Sequence, residues 1–318
     1  MRVFAPYLAS LLEYAEYHNL DSNTLIDIIP KHNIDLCDPN EMIEAKTYLS
    51  VFDKAIEVTN SDYFGLNFGT YLNLGALGLV LEISLNTSSI EQGVYILQQF
   101  LKTKFPLVTA AVIKDRHHFI LQLESAVKHK KMRRHLLDLV LAIVYRELKL
   151  MIPKHFTPQI RLPFLEKKCY SDVLKTEITY NDDYQLVLPL DIIKTEINKS
   201  RIKEIELLLP QFLVMLNKGS ESKNILSNQI RHMTLHMCSP EIPNFEQVQK
   251  QFPYSKRTIQ RKLTNEGTSF RSILIDIKKE LSQYLANEKH LKTKDVAYIL
   301  GYSESSAYLH AVKSWGKN

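Results

Sequence analysis

Apolar positions recur along this chain with two different periods, and the change of period marks its elements. Over residues 6–19, Leu8, Leu11, Leu12 and Ala15 fall on one helical face. Over residues 39–58, Met42, Ile43, Tyr48, Leu49, Phe52 and Ile56 do the same, so both stretches are predicted helices. Glycines then punctuate residues 63–69 and 74–80. They lack a Rossmann spacing or a Gly-Lys-Ser/Thr ending, which leaves tight turns and close packing as their reading rather than a phosphate cradle. A helix follows over 88–102, with Ile90, Val94, Leu97 and Leu101 inward. Two β-leaning runs, 108–114 and 119–124, flank Asp115-Arg-His-His118 as a hairpin. A strongly apolar helix over 131–151 stops before Pro153. Short strands at 159–162, 177–180 and 185–188 make this half α+β, and a helix over 198–217 closes it.

Lys218-Gly-Ser-Glu-Ser-Lys223 is small and charged with no apolar period, so it reads as a linker and sets two domains, 1–219 and 220–318. Everything after it has a helical period. One pattern occurs there twice: Val248 to Phe252-Pro-Tyr-Ser255, and Val296 to Leu300-Gly-Tyr-Ser303, the second 48 positions after the first. In each, a short amphipathic helix ends at Pro or Gly, an aromatic anchor follows, and a serine stands where it can cap a second helix. This is the pattern of a helix-turn-helix. Between the copies, Gly267 supplies a left-handed stop and Thr268 or Ser269 a cap. An 18-residue helix, 270–287, then carries Phe270, Ile273, Leu274, Ile277, Leu281 and Leu285 as its stripe. The architecture expected is an α+β N-terminal domain followed by an all-α domain with two helix-turn-helix units joined by a central helix.

Charge sharpens the picture only when divided by region. Residues 220–318 hold 15 Lys plus Arg against 9 Asp plus Glu, whereas 1–219 hold 25 against 26, so the basic excess belongs to the C-terminal third. Localised positive charge is what phosphate neutralisation needs. No apolar run approaches the roughly 18 residues that span a bilayer. Glu13, Glu16 and His18 interrupt any signal-like start, which points to the cytoplasm and no membrane partner. Cys37, Cys169 and Cys238 are odd in number and far apart, which suits free thiols. His232 and His236 share a helical face near Cys238, but nothing completes a zinc set, so no metal or other cofactor is expected. Ser, Cys and His form no recognisable catalytic pair, so the chain reads as no enzyme. Tyr63, Phe64, Phe68 and Tyr71 line a pocket or fill a core, and core is the reading favoured. The run Lys256, Arg257, Arg261, Lys262 would ordinarily be a solvated helix face; the tandem context favours a functional one.

Arg257-Thr-Ile-Gln-Arg-Lys-Leu263 with Glu266-Gly-Thr-Ser-Phe-Arg271, then Asp295-Val-Ala-Tyr-Ile-Leu-Gly-Tyr-Ser-Glu-Ser-Ser-Ala-Tyr308 and Lys313-Ser-Trp315, resemble the DNA-binding domain of the AraC/XylS family of bacterial transcription regulators. The N-terminal half is similar to the arabinose-binding-type domain of the ornithine-utilisation-like branch, on Tyr63-Phe-Gly-Leu66, Phe68-Gly69, Leu74-Gly-Ala-Leu-Gly78 and Thr87. By position the resemblance puts base and phosphate contacts on Lys256, Arg257, Gln260 and Arg261 in the first unit, and on Ser305, Ser306, Leu309 and His310 in the second. Arginine pairs bidentately with guanine or clamps phosphate, glutamine reads adenine, and Leu309 offers only apolar contact. The first unit is therefore expected to dominate readout.

Several residues depart from the family pattern. Gln249 and Pro253 replace a small alanine and a glycine, which implies an altered first unit; Lys279 and Ser282 replace apolar residues of the central helix. The sequence ends at Asn318 without the family's Gly-x-Ser-Pro segment and last helix, which implies a less supported second recognition helix or a truncated form. The resemblance implies a sequence-specific regulator of promoter DNA, an activator by family tendency. It would act on RNA polymerase, answer to a small-molecule effector or partner at the N-terminal domain, and couple through the linker near Gly219. Leu207, Leu208, Leu209, Phe212 and Leu216 exceed one buried face, which fits a homodimer or simply core. Two competing readings are a non-DNA-binding antagonist of a related regulator, motivated by the short C-terminus, and a small-molecule enzyme or carrier with a helical module.

Overall fold

The computed structural model describes residues 1–18, 22–30, 34–36, 38, 40–164, 168–218, 225–288 and 291–315. By contacts the chain divides into two units, Met1–Ile202 and Lys203–Asn318, and the division falls within one helix, Lys199–Lys218. The linker expected at 218–223, and with it the 219/220 boundary, lies outside the described residues apart from Lys218. Cys37 lies outside them too.

Unit 1 opens with strand β1 (Arg2–Phe4), paired antiparallel to β2 (Met42–Glu44) so that Val3 faces Ile43. Helix α1 (Ala5–Glu16) has its proline in the first turn, where a missing N–H costs nothing. Helix α2 (Ser22–Ile26) is short. The single helix expected over 39–58 is corrected here: Met42 and Ile43 belong to β2, and helix α3 (Ala45–Thr59) begins only after it. Three-residue strands paired across some forty residues leave no local period to read.

The glycine-punctuated stretch is helical, not a run of tight turns. It forms α4 (Phe64–Tyr71) and α5 (Asn73–Asn86). Close packing does account for two of the glycines. A Cβ on Gly65 would stand 1.9 Å from the His135 carbonyl oxygen, and one on Gly69 would stand 2.6 Å from that of Leu139. Only a bare backbone lets α4 lie so close to α7 (Lys130–Met151). Between them run α6 (Ile90–Lys104), capped by the Ser89 hydroxyl, and the hairpin β3 (Thr109–Lys114) and β4 (His118–Glu124). The hairpin turn is closed by Asp115, whose carboxylate accepts the N–H of His117 and of His118 at 2.7 Å each; these bonds hold its pKa at about 2.

After α7 come β5 (Gln159–Leu162), α8 (Lys168–Leu174), β6 (Ile178–Tyr180) and β7 (Tyr184–Pro189). The sheet order is β3-β4-β7-β5-β6, antiparallel except for β5 and β6. β7 is the middle strand, and every residue from Tyr184 to Leu188 is buried, as a strand covered on both faces requires. α7 lies against β4 and β7. Phe64, Phe68 and Tyr71 pack around Tyr14 at centroid distances of 5.6, 5.2 and 5.0 Å, so they fill core. Tyr63 is half-buried against Tyr170.

Two polar groups are set deep in this core. Asp138 has no exposure and accepts from the Tyr170 hydroxyl at 2.9 Å and the Tyr184 hydroxyl at 2.9 Å, with Arg134 Nε 3.9 Å away. Burial outweighs these donors and raises its pKa to about 7. Arg146 and Glu147 form a buried pair at 2.7 Å.

Helix α9 (Lys199–Lys218) carries Pro210 inside it. Leu208 and Phe212 are buried, whereas Leu213 and Val214 are exposed. The rest of unit 2 is helical in every described element: α10 (Leu226–His236), α11 (Phe245–Gln249), α12 (Lys256–Asn265), α13 (Phe270–Ala286), α14 (Thr293–Ile299) and α15 (Ser305–Trp315). An α+β region with a five-stranded sheet thus precedes an all-helical one with two helix-turn-helix units joined by α13.

No single helix among the described residues is long and apolar enough to cross a membrane; the bent pair α4 and α5 passes by length and composition only, and α4 is packed on α7. Neither Cys169 nor Cys238 is in a disulfide among the described residues. Among the described residues no three His, Cys, Asp or Glu side chains converge on a metal position.

Candidate nucleic-acid interface

The first helix-turn-helix is built from local signals. Asn244 opens α11 with a reciprocal capping box to Gln247, at 3.0 Å in each direction. Val248 and Phe252 are buried beneath the turn, and Ser255 Oγ accepts the Thr258 N–H at 3.2 Å to start α12. Gln249, where the family has a small residue, donates its amide to the Tyr254 carbonyl at 2.8 Å and so ties the end of α11 to the exit of the turn. Ile259 and Leu263 anchor α12 one turn apart. At its C-terminus Gly267 takes φ +72°, the Thr268 N–H reaches the Leu263 carbonyl and the Gly267 N–H that of Thr264, each at 3.0 Å: a Schellman stop.

With that core face settled, Lys256, Arg257, Gln260 and Arg261 are all exposed. Lys256 is partly engaged, 4.0 Å from Glu246 and lying over the Phe245 ring. Arg257, Gln260 and Arg261 make no side-chain hydrogen bond or ion pair among the described residues. Two guanidinium groups and an amide therefore stand on one helix face with their full donor capacity directed to solvent.

The second unit repeats the design with different chemistry. Gly301 at φ +77° ends α14, with the Tyr302 N–H on the Ala297 carbonyl at 2.9 Å. The expected cap at Ser303 is corrected: α15 starts at Ser305, so Glu304 immediately precedes it and accepts from the Ser306 hydroxyl at 3.1 Å. Ser306, Leu309 and His310 are exposed and Ser305 is half-buried. Lys313, three residues beyond His310, is exposed as well and extends this face by a turn. It was missed because position-by-position transfer stopped at His310, although the spacing alone would have found it.

The polar departures in α13 are fastenings. Ser282 is buried and its hydroxyl bonds that of Tyr308 at 2.8 Å; Lys279 donates to the Trp315 carbonyl at 3.4 Å, placing a cation at the negative end of α15. Lys278 lies 4.4 Å from the Tyr302 ring centroid, and burial lowers its pKa. On the other side, Glu266 accepts the first N–H groups of α10, from Leu226 at 3.0 Å and Ser227 at 2.9 Å, and Arg231 pairs with Glu280 at 2.7 Å. α13 is thus fastened directly to α15 and to α10, and Glu266 fastens the end of α12 to α10.

The sequence of residues 32–191, half of the chain, matches the family described as the arabinose-binding domain of AraC transcription regulators, N-terminal. The chain belongs to the AraC family of transcription regulators. An uncharacterised HTH-type transcriptional regulator of Mycobacterium tuberculosis is 29% identical over 111 residues, 35% of this chain and 32% of that protein. The ornithine utilization regulator of Pseudomonas aeruginosa is 28% identical over 75 residues, 24% of this chain and 22% of that protein. The HTH-type regulator VqsM of the same organism is 21% identical over 270 residues, 79% of this chain and 80% of that protein. The matched part of this AraC-family protein spans about a third or less of the first two relatives.

Proposed function

We propose that this AraC-family protein binds promoter DNA sequence-specifically through α12 and α15 and couples that binding to an effector or partner at its N-terminal domain. The observation that carries the reading is the exposed, unpaired set Arg257, Gln260 and Arg261 on a helix whose other face is pinned by Ile259 and Leu263. Arginine and glutamine are the side chains that read guanine and adenine bidentately, and both arginines also suit phosphate. α15 presents Ser306, Leu309 and His310, which gives weaker and partly apolar contact. α12 accordingly carries most of the readout, and α15 mainly positions the protein.

The 17-residue α13 is ~25 Å long at ~1.5 Å per residue, near the ~34 Å between successive major-groove faces, so it suits two recognition helices set about one duplex turn apart. The regulator acts in the cytoplasm as an activator that engages RNA polymerase, with domains divided at 219/220. The exposed Leu213 and Val214 of α9 supply apolar surface for a homodimer. An effector changes DNA affinity only by binding two domain arrangements unequally, and the segment joining the two units is where that difference passes.

The test is binding of the full chain to genomic duplex fragments as salt is raised. Binding that persists at moderate salt and falls at least tenfold in R257A/R261A supports the reading. Absence of binding to every fragment, or an unchanged affinity in the double variant, contradicts it.

A further inference from the structure

We infer that a cleft in unit 1, at the start of α7, binds a small zwitterion: a molecule with a carboxylate at one end, an ammonium or guanidinium at the other, and an apolar body between them. The inference rests on the proposed reading of this unit as the sensing part. The cleft has a volume of about 570 Å³, within the ~300–1,000 Å³ range of small-molecule sites.

Its walls carry charges of both signs that the fold leaves unpaired. Lys130 and Arg133, in the first turn of α7, and Asp183, in the turn before β7, line the cleft and make no ion pair or side-chain hydrogen bond among the described residues. Cations are unfavourable in the first turn of a helix, where the backbone dipole is positive and acidic residues ordinarily sit; α7 has none there. A carboxylate docked against Lys130 and Arg133 relieves that repulsion. Asp183 complements the other end of the molecule.

The other charged groups of the cleft have hydrogen-bond or ring partners that fix where they stand. Arg134 is held by the Tyr170 hydroxyl at 3.4 Å and by the Phe164 ring, 4.8 Å from its centroid. Asp182 accepts from the Tyr180 hydroxyl at 3.1 Å, and Glu124 from the Gln122 amide at 2.9 Å. Phe164 packs edge-on against Tyr184, whose hydroxyl is fixed on Asp138. The apolar body of the ligand therefore meets a pre-set aromatic surface that needs no ordering on binding.

The test is calorimetric titration of the full chain, without DNA, with 4-(aminomethyl)benzoate, its two halves 4-methylbenzoate and 4-methylbenzylamine, and uncharged L-arabinose. The zwitterion is expected to bind at least tenfold more tightly than either half or the sugar. Arg133→Ala should weaken the zwitterion and 4-methylbenzoate at least tenfold and spare the amine. Asp183→Asn should weaken the zwitterion and the amine and spare 4-methylbenzoate. Both residues lie outside the core, and unchanged circular dichroism verifies that the variants fold. Equal binding of zwitterion and benzoate, preference for the sugar, no binding of any probe, or indifference to both substitutions would overturn the inference. Zwitterion binding that leaves DNA affinity unchanged upholds the site and removes only its regulatory role.

Discussion

Asp138 puts a carboxylate with no exposure beneath two tyrosine hydroxyls, and at pH 7 its ionised form is opposed by burial. Its pKa is raised in the folded state, so the folded chain holds a proton that the unfolded chain has released, and stability drains away as pH climbs from about 4 to about 7. His18 and His135, both lowered to about 4 by burial, work in the opposite direction over the same window. The clean observable is a difference: relative to the wild type, Asp138→Asn should gain stability between pH 4 and pH 8, by a few kcal/mol at most, at ~1.4 kcal/mol per pKa unit. Chemical denaturation at both pH values measures it, and parallel pH profiles would refute the account. The glycines make a second contrast at this scale. Gly65→Ala drives a Cβ into the backbone of α7 and should cost more than ~2 kcal/mol. Gly75→Ala and Gly78→Ala meet nothing within 4 Å in α5 and should each raise stability by ~0.5–1 kcal/mol. From sequence these glycines were indistinguishable, because what separates them is the distance to a helix some seventy residues away.

At the scale of elements, what could be read in advance was whatever is specified locally. Ser255 and Ser269 cap the helices they precede, and Gly267 and Gly301 stop theirs, because a cap or a left-handed residue acts on groups within five positions. The hairpin at Asp115 was legible for the same reason. β1 and β2 were not, since each is defined only by the other. α4 and α5 were obscured because glycine has low helix propensity and only packing against α7 overrides it. The candidate site divides in the same way: the exposed set on α12 follows from the spacing of Ile259 and Leu263, whereas Lys279 and Ser282 looked like defects until their partners on α15 were in view. Those two ties carry a prediction. Ser282→Ala with Lys279→Ala should speed amide hydrogen exchange in α15 at least tenfold while leaving α12 unchanged. Equal protection of α15 in the variant would show that its apolar anchors, Tyr308 and Trp315, suffice.

At the scale of the whole molecule, a basic helical part with two helix-turn-helix units of unequal surface chemistry is joined to an α+β part of the arabinose-binding type. Under the proposed function, the inequality between α12 and α15 is what a bound site would reflect. One helix offers two arginines and a glutamine, the other a serine pair, a leucine and a histidine, so a bound site should contain one strongly and one weakly constrained box. In vitro selection of random duplex DNA by the full chain tests this most directly. The account predicts two enriched boxes centred about 10–11 base pairs apart, the more constrained of which loses its constraint in R257A/R261A while the other persists. Selection that enriches no sequence, or a motif that R257A/R261A leaves intact, would contradict it.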